Sequence, residues 1–135
     1  MPFLGTEDYQ MDERNRVAIP PRYRDEFDAP AFLTTSKEHC VSVYTKEGFD
    51  QAAQLVEAMP EDTEEGRERR RFFFGHAYPV PKDKQGRLLI PAKLIQHAGL
   101  KKDVTVVGLC KWFEIWDKAA YEAHEAALEA AEKGE

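Results

Sequence analysis

One pattern occurs twice in this chain. Asp12-Glu-Arg-Asn-Arg-Val-Ala-Ile-Pro20 and Asp83-Lys-Gln-Gly-Arg-Leu-Leu-Ile-Pro91 share Asp, Arg, Ile and Pro at an offset of 71 positions (12 to 83, 20 to 91). The likeness continues downstream with a shift of one residue, where Val41-Ser-Val-Tyr-Thr-Lys-Glu-Gly-Phe49 lines up with Phe113-Glu-Ile-Trp-Asp-Lys-Ala-Ala-Tyr121. Upstream, Phe3-Leu-Gly5 matches Phe73-Phe-Gly75. An internal repeat of this kind constrains the fold more than composition does, because each copy must be one supersecondary unit. Each half therefore runs Phe-x-Gly, Asp-x-x-x-Arg, Ile-Pro, strand, strand, helix.

Period and punctuation set the elements. Val17–Ile19 and Leu88–Ile90 are short apolar runs ended by Pro20 and Pro91, and the residue before proline is held extended. Phe32–Thr35 and Val104–Val107 are β-branched and strand-like. Val41–Tyr44 and Phe113–Trp116 alternate as half-buried strands do. Arg22–Phe27 and Lys93–Ala98 predict short helices after each proline, the second stopped by Gly99. Residues 47–59 carry Phe49, Ala52, Ala53 and Val56 at helical spacing. Residues 117–133 are alanine-rich, with Asp117 as their cap. The charged residues 61–71 predict an exposed helix joining the halves. No low-complexity linker separates them, so a shared core is expected.

The repeated turn carries the candidate chemistry. Asp12 and Asp83 precede a polar turn, where an aspartate carboxylate accepts backbone N–H bonds. The fourth position is Asn15 in one copy and Gly86 in the other, the two residue types that best tolerate positive φ. A fixed hairpin-type loop follows from that. Around it stand Arg14 and Arg16 in the first copy, and Lys82, Lys84, Gln85 and Arg87 in the second. Arginine offers a planar fork for phosphate or a guanine edge, Asn and Gln pair with adenine, and lysine supplies a point charge. For one copy alone, an Asp–Arg pair that merely fixes the turn explains the motif. Repetition, with cations the turn does not require, points instead to a polyanion. On this reading Asp12, Asp83 and Gly86 shape the turns. Arg16 and Arg87 are partly structural, and Arg14 and Lys84 are freer to meet a ligand.

The charge balance bears on that reading. The 135 residues carry a formal net charge of −6, which argues against a simple polybasic DNA binder. Placement matters more than the sum. Acidic residues concentrate at Glu57–Glu65 and from Glu122 to the C-terminus. Basic residues gather at Arg14, Arg16, Arg22 and Arg24, then at Lys82, Lys84, Arg87 and Lys93. Any anion-binding face is therefore local.

Cys40 and Cys110 lack metal-ligand spacing and are expected as buried apolar residues of a reducing cytoplasm. His39, His76, His97 and His124 show no metal spacing, so no metal or other cofactor is expected. No nucleophile elbow, P-loop or dinucleotide fingerprint occurs, and no clustered nucleophile, base and orienter can be named, so an enzyme with a small-molecule substrate is not expected. No apolar run reaches the ~20 residues of a membrane span, and no signal peptide is seen. Phe72-Phe-Phe74, preceded by Arg69-Arg-Arg71, is read as core or subunit packing rather than base stacking. Trp112 and Trp116 are read as packing.

The paired Asp-x-x-x-Arg turns, each followed by Ile-Pro, resemble the MraZ family of bacterial transcriptional regulators, built from two SpoVT-AbrB-like half-domains. The likeness runs from Phe3 to about Tyr121, and Asp83–Pro91, Val106-Val-Gly108 and Phe113–Trp116 are especially close. The resemblance implies an α+β, mainly β fold. It would be a swapped-hairpin, AbrB-like barrel formed by two tandem repeats, with peripheral helices. The repeats would be residues 1–60 and 72–135, with 61–71 as the connecting helix. It also implies ring-shaped homo-oligomers, a cytoplasmic, nucleoid-associated location, and binding to double-stranded DNA. The family binds tandem short G-rich promoter boxes and represses its own division and cell-wall gene cluster. Its DNA contacts carry over to Arg14, Asn15, Arg16, Lys82, Lys84, Gln85 and Arg87. This chain departs from the family's frequent Lys-Gly at Arg14-Asn15, where charge and left-handed tolerance are both kept. The alternative is a ring-forming protein–protein interaction scaffold, suggested by the acidic segments and the aromatic run.

Overall fold

A computed structural model describes residues 2–35 and 37–134. The strands are β1 Thr6–Gln10, β2 Arg16–Ala18, β3 Ala31–Thr35, β4 Val41–Tyr44, β5 Tyr78–Val80, β6 Arg87–Leu89, β7 Asp103–Gly108 and β8 Phe113–Asp117. The α-helices are α1 Lys46–Glu57, α2 Glu64–Gly75, α3 Ala92–Ala98 and α4 Lys118–Lys133, and a 3₁₀ turn spans Pro21–Glu26. The architecture is α+β with antiparallel pairing throughout, and helices hold more residues than strands.

Six strands form one sheet in the order β1-β7-β8-β4-β3-β5, and β2 pairs with β6 in a separate ribbon. No closed barrel is found among the described residues. The repeat explains the order: β8 meets β4 at the centre, with Val41 opposite Ile115 and Val43 opposite Phe113. On either side the pattern is mirrored, β7 then β1, β3 then β5. The outermost strands are exchanged: β1 of the first half pairs with β7, and β5 of the second half pairs with β3. The ribbon is shared in the same way, Val17 opposite Leu88.

Alternation along the strands divides two apolar clusters between the faces of the sheet. On one face, Leu33, Val41, Val43, Val104, Val106, Phe113 and Ile115 join the ribbon's Val17 and Leu88, with Ile19, Ile90 and Leu94. On the other, Tyr44 meets Ala53 and Val56 of α1 and Phe73 of α2. Caps hold the helices: Thr45, Thr63 and Asp117 each accept a backbone N–H three residues on. Gly99, at φ 62°, ends α3.

Three expectations need correction. The hairpin-type turns do not pair their own flanking strands, since β2 finds its partner in the other half. The connecting helix runs from Glu64 to Gly75 rather than 61–71, because Phe73 is buried against Tyr44 and Phe49 and draws the helix onto the sheet. Cys40 is buried, but Cys110 is exposed in the β7–β8 turn at φ 68°. No helix among the described residues is long and apolar enough to cross a membrane.

Candidate nucleic-acid interface

The two repeated turns lie side by side because the ribbon joins them. Each turn is closed by the same bonds. Asp12 N–H donates to Arg16 O at 3.0 Å, and Asp83 N–H donates to Arg87 O at 2.9 Å. Asn15 N–H donates to Asp12 O, and Gly86 N–H to Asp83 O, both at 3.0 Å. That geometry places Asn15 at φ 61° and Gly86 at φ 78°. Each of these residues also offers its carbonyl to the other half: Ile90 N–H donates to Asn15 O, and Ile19 N–H to Gly86 O, both at 2.9 Å.

The aspartates organise the interior of both turns. Asp12 Oδ1 accepts from Arg14 N–H and Arg16 N–H at 2.9 Å, and Asp83 Oδ1 accepts from Gln85 N–H and Arg87 N–H at 2.9 Å. The other oxygen takes the arginine side chain, Arg16 Nε at 2.8 Å and Arg87 Nε at 3.0 Å. The pairs then cross the ribbon, Arg87 Nη1 to Asp12 Oδ2 at 3.3 Å and Arg16 Nη1 to Asp83 Oδ2 at 3.7 Å. Backbone N–H bonds from Arg16 and Arg87, with help from the guanidinium groups, hold both carboxyls below the usual carboxylate range. The four side chains form a neutral, half-buried square that ties one turn to the other.

Arg16 and Arg87 are thus occupied inside the fold, and the groups outside the square are arranged differently. Arg14, Asn15, Lys84 and Gln85 are exposed, and their side chains have no partner among the described residues. Lys82 is held, its Nζ donating to Arg24 O at 2.9 Å. Gly86 is enclosed by Arg24, whose Nε donates to Ile19 O at 2.9 Å and lies 2.5 Å from where a Cβ on Gly86 would stand. Glycine is favoured there by φ, and a Cβ would have to displace the Arg24 side chain.

Two flanking features were not singled out from the sequence. Arg24 lies over the second turn, and its only signal was membership of the basic run at Arg22 and Arg24. Lys101 and Lys102 line a surface depression beside the first turn with Gln10, Asp12, Glu13 and Asn15. They are placed there by Met11 N–H donating to Lys102 O at 2.7 Å. In sequence they read as an ordinary solvated pair before β7.

Comparison with known proteins agrees with this internal duplication. The family model described as "MraZ protein, putative antitoxin-like" matches twice, over residues 2–72 and 73–134. The chain is similar to the transcriptional regulator MraZ of Micrococcus luteus, 36% identical over 129 residues, covering 96% of this chain and 90% of the relative. It is similar to that of Thermobifida fusca, 36% identical over 127 residues, covering 94% and 89%. It is also similar to that of Acetivibrio thermocellus, 34% identical over 122 residues, covering 90% and 85%. With both matched segments and near-complete coverage of its relatives, the chain belongs to the MraZ family.

Proposed function

We propose that this protein is a sequence-specific, double-stranded-DNA-binding transcriptional regulator whose reading surface is the paired turns. One observation carries the reading. Two turns of matched shape, locked by a neutral Asp–Arg square, hold Arg14, Asn15, Lys84 and Gln85 outward with no side-chain partner among the described residues. The square needs Arg16 and Arg87, whereas the side chains of Arg14 and Lys84 hold no contact among the described residues. A rigid frame with outward donors is suited to phosphate and base-edge contacts, since little loop order remains to be gained on binding. The relatives named as transcriptional regulators support the same role. Strand exchange between the halves supports reading the fold as a swapped-hairpin arrangement of SpoVT-AbrB type.

The finer assignment follows from charge. One chain offers few free cations, and the exposed Glu13 adjoins Arg14 in sequence, so a single copy binds weakly and with strong salt dependence. A homo-oligomeric ring would multiply the contact on tandem short G-rich boxes, where avidity adds ~10²–10⁴. The target in this reading is the promoter of the protein's own division and cell-wall gene cluster, with repression as the outcome.

Footprinting of the purified protein on the DNA upstream of its own coding region tests this. Protection of regularly spaced short boxes that is lost in the Arg14→Ala, Lys84→Ala double variant supports it. Equal binding by that variant at physiological salt overturns the site. A scaffold for a protein partner, the alternative suggested by the acidic segments and the aromatic run, finds a further argument in the open groove beside α1. Recovery of such a partner with no salt-dependent DNA binding would establish that reading instead.

A further inference from the structure

Helix α4 outruns the body it packs on. Tyr121 and His124 lie against Trp116, with ring centroids 5.5 Å and 5.1 Å away. From Glu125 to Gly134 every residue is exposed. Yet the apolar stripe does not stop at His124. Leu128 lies seven residues after Tyr121 and four after His124, on the same helix face, and is 49% exposed. A stripe of this kind faces something in a stable helix.

The repeat shows what belongs there. The alignment that sets Phe49 against Tyr121 sets Val56 against Leu128. In the first half, Val56 is only 3% exposed, because α2 folds over α1 and brings Phe73 onto Phe49 at 5.1 Å. In the second half no helix follows α4 among the described residues. Among the described residues, the second copy of the motif keeps the apolar position without the helix that covers it in the first.

A complementary surface is present elsewhere on the molecule. Between α1, α2 and the β7–β8 turn runs an open cavity of about 590 Å³. Its walls include Leu55, Tyr44, Phe73 and Trp112, and Leu55 is 76% exposed. Arg69 and Lys111 border it, and Arg69 Nη1 is buried with no hydrogen-bond partner among the described residues. Glu38 and Glu114 also line the cavity, Glu114 already accepting from Trp116 Nε1 at 2.9 Å. A buried guanidinium N–H without an acceptor is costly, and a carboxylate satisfies it best.

The geometry points to a second copy of this chain as the occupant: the exposed end of α4 from one copy seats in the α1–α2 groove of another. Leu128 enters against Leu55 and Trp112, and Glu125 or Glu129 supplies the carboxylate for Arg69. Pairing of α4 with another α4 is disfavoured because each presents Glu122, Glu125, Glu129 and Glu132. Helix end and groove are different patches, so the contact is head-to-tail and builds a closed ring or a chain of copies. This rests on the homo-oligomeric part of the function proposed above and gives it a contact.

Light scattering coupled to gel filtration tests it on the full chain. The wild type is expected above the mass of one chain, and Leu128→Asp and Leu55→Asp each at the mass of one chain. Circular dichroism unchanged from wild type shows that these exposed substitutions leave the fold intact. Mixed one to one, the two variants are expected to form a two-chain particle and nothing larger, because one sound helix end then meets one sound groove. As a second check, Arg69→Glu weakens assembly about tenfold and Glu129→Lys restores it. A monomeric wild type at tens of micromolar overturns the inference and the ring reading together. An assembled wild type whose variants keep its mass overturns only this contact. So does a mixture that stays monomeric, as it would if the groove served a small apolar ligand or another protein.

Discussion

Arg87 and Asp12, 75 positions apart in the chain, meet across the ribbon with Nη1 3.3 Å from Oδ2. The bond makes the two turns one object. Arg87 already serves its own turn through Asp83, so a single side chain holds both halves. Arg87→Ala is therefore expected to lower the thermal unfolding midpoint and to weaken DNA binding on both sides of the ribbon. Arg87→Lys should rescue little, because an ammonium cannot serve two carboxylates in a fixed fork. Calorimetry and a binding titration on the same samples check this.

Arg14 and Lys84 should behave in the opposite way. Each is exposed and outside the square, so alanine at either position leaves the unfolding midpoint unchanged. Loss of one phosphate contact makes the plot of log affinity against log salt shallower by about one unit. Fluorescence anisotropy at several salt concentrations reads the slope directly. An unchanged slope in both variants would remove these residues from the interface.

The left-handed positions give an asymmetric pair of outcomes. Asn15→Gly is expected to be tolerated, since glycine adopts φ 61° freely. Gly86→Ala forces a Cβ into that region, at about 1–2 kcal/mol, and also displaces Arg24. Urea denaturation should place the second variant below the first.

Acid should loosen the turns. Asp12 and Asp83 are held below their ordinary value by backbone N–H bonds and their arginines. A depressed folded-state value contributes stability that is complete above the unfolded carboxylate range, near 3.9, and is lost as pH falls through the folded value. The wild type should therefore lose stability more steeply below about pH 4 than the Asp12→Asn, Asp83→Asn double variant. Above that range the double variant should be the less stable of the two. Unfolding midpoints across pH 2–7 decide it.

Core substitution provides a contrast in scale. Leu33 is wholly buried on the central sheet, and Leu33→Ala is expected to cost about 2–5 kcal/mol without touching the turns. DNA affinity of the folded fraction should be unchanged at low temperature.

Much of this was legible in the sequence, and the gaps have physical causes. β4 and β8 carry strong apolar alternation, and both were readable to within a residue. The turn chemistry was readable too, because Asn and Gly at one repeated position leave few backbone conformations. β1 was not, since Thr6-Glu-Asp-Tyr-Gln10 has no buried stripe and is made a strand by pairing with β7. β5 was hidden by Pro79, which reads as a strand breaker and is tolerated because β5 ends the sheet. The bond from Arg87 to Asp12 could not be read at all. Local spacing assigns each arginine to its own aspartate, and only the pairing of β2 with β6 brings the other within reach. Lys101 and Lys102 were missed for the same reason: their place beside the first turn is set by the exchanged strand.

That exchange also dictates when the fold can be completed. The first motif leaves the ribosome long before the strand that completes it, so a nascent chain exposes an unpaired β2 until residues beyond 90 have emerged. Neither motif is finished alone, and translation stalled before β6 yields a product with half of the ribbon. The shared ribbon is thus all-or-none with respect to synthesis.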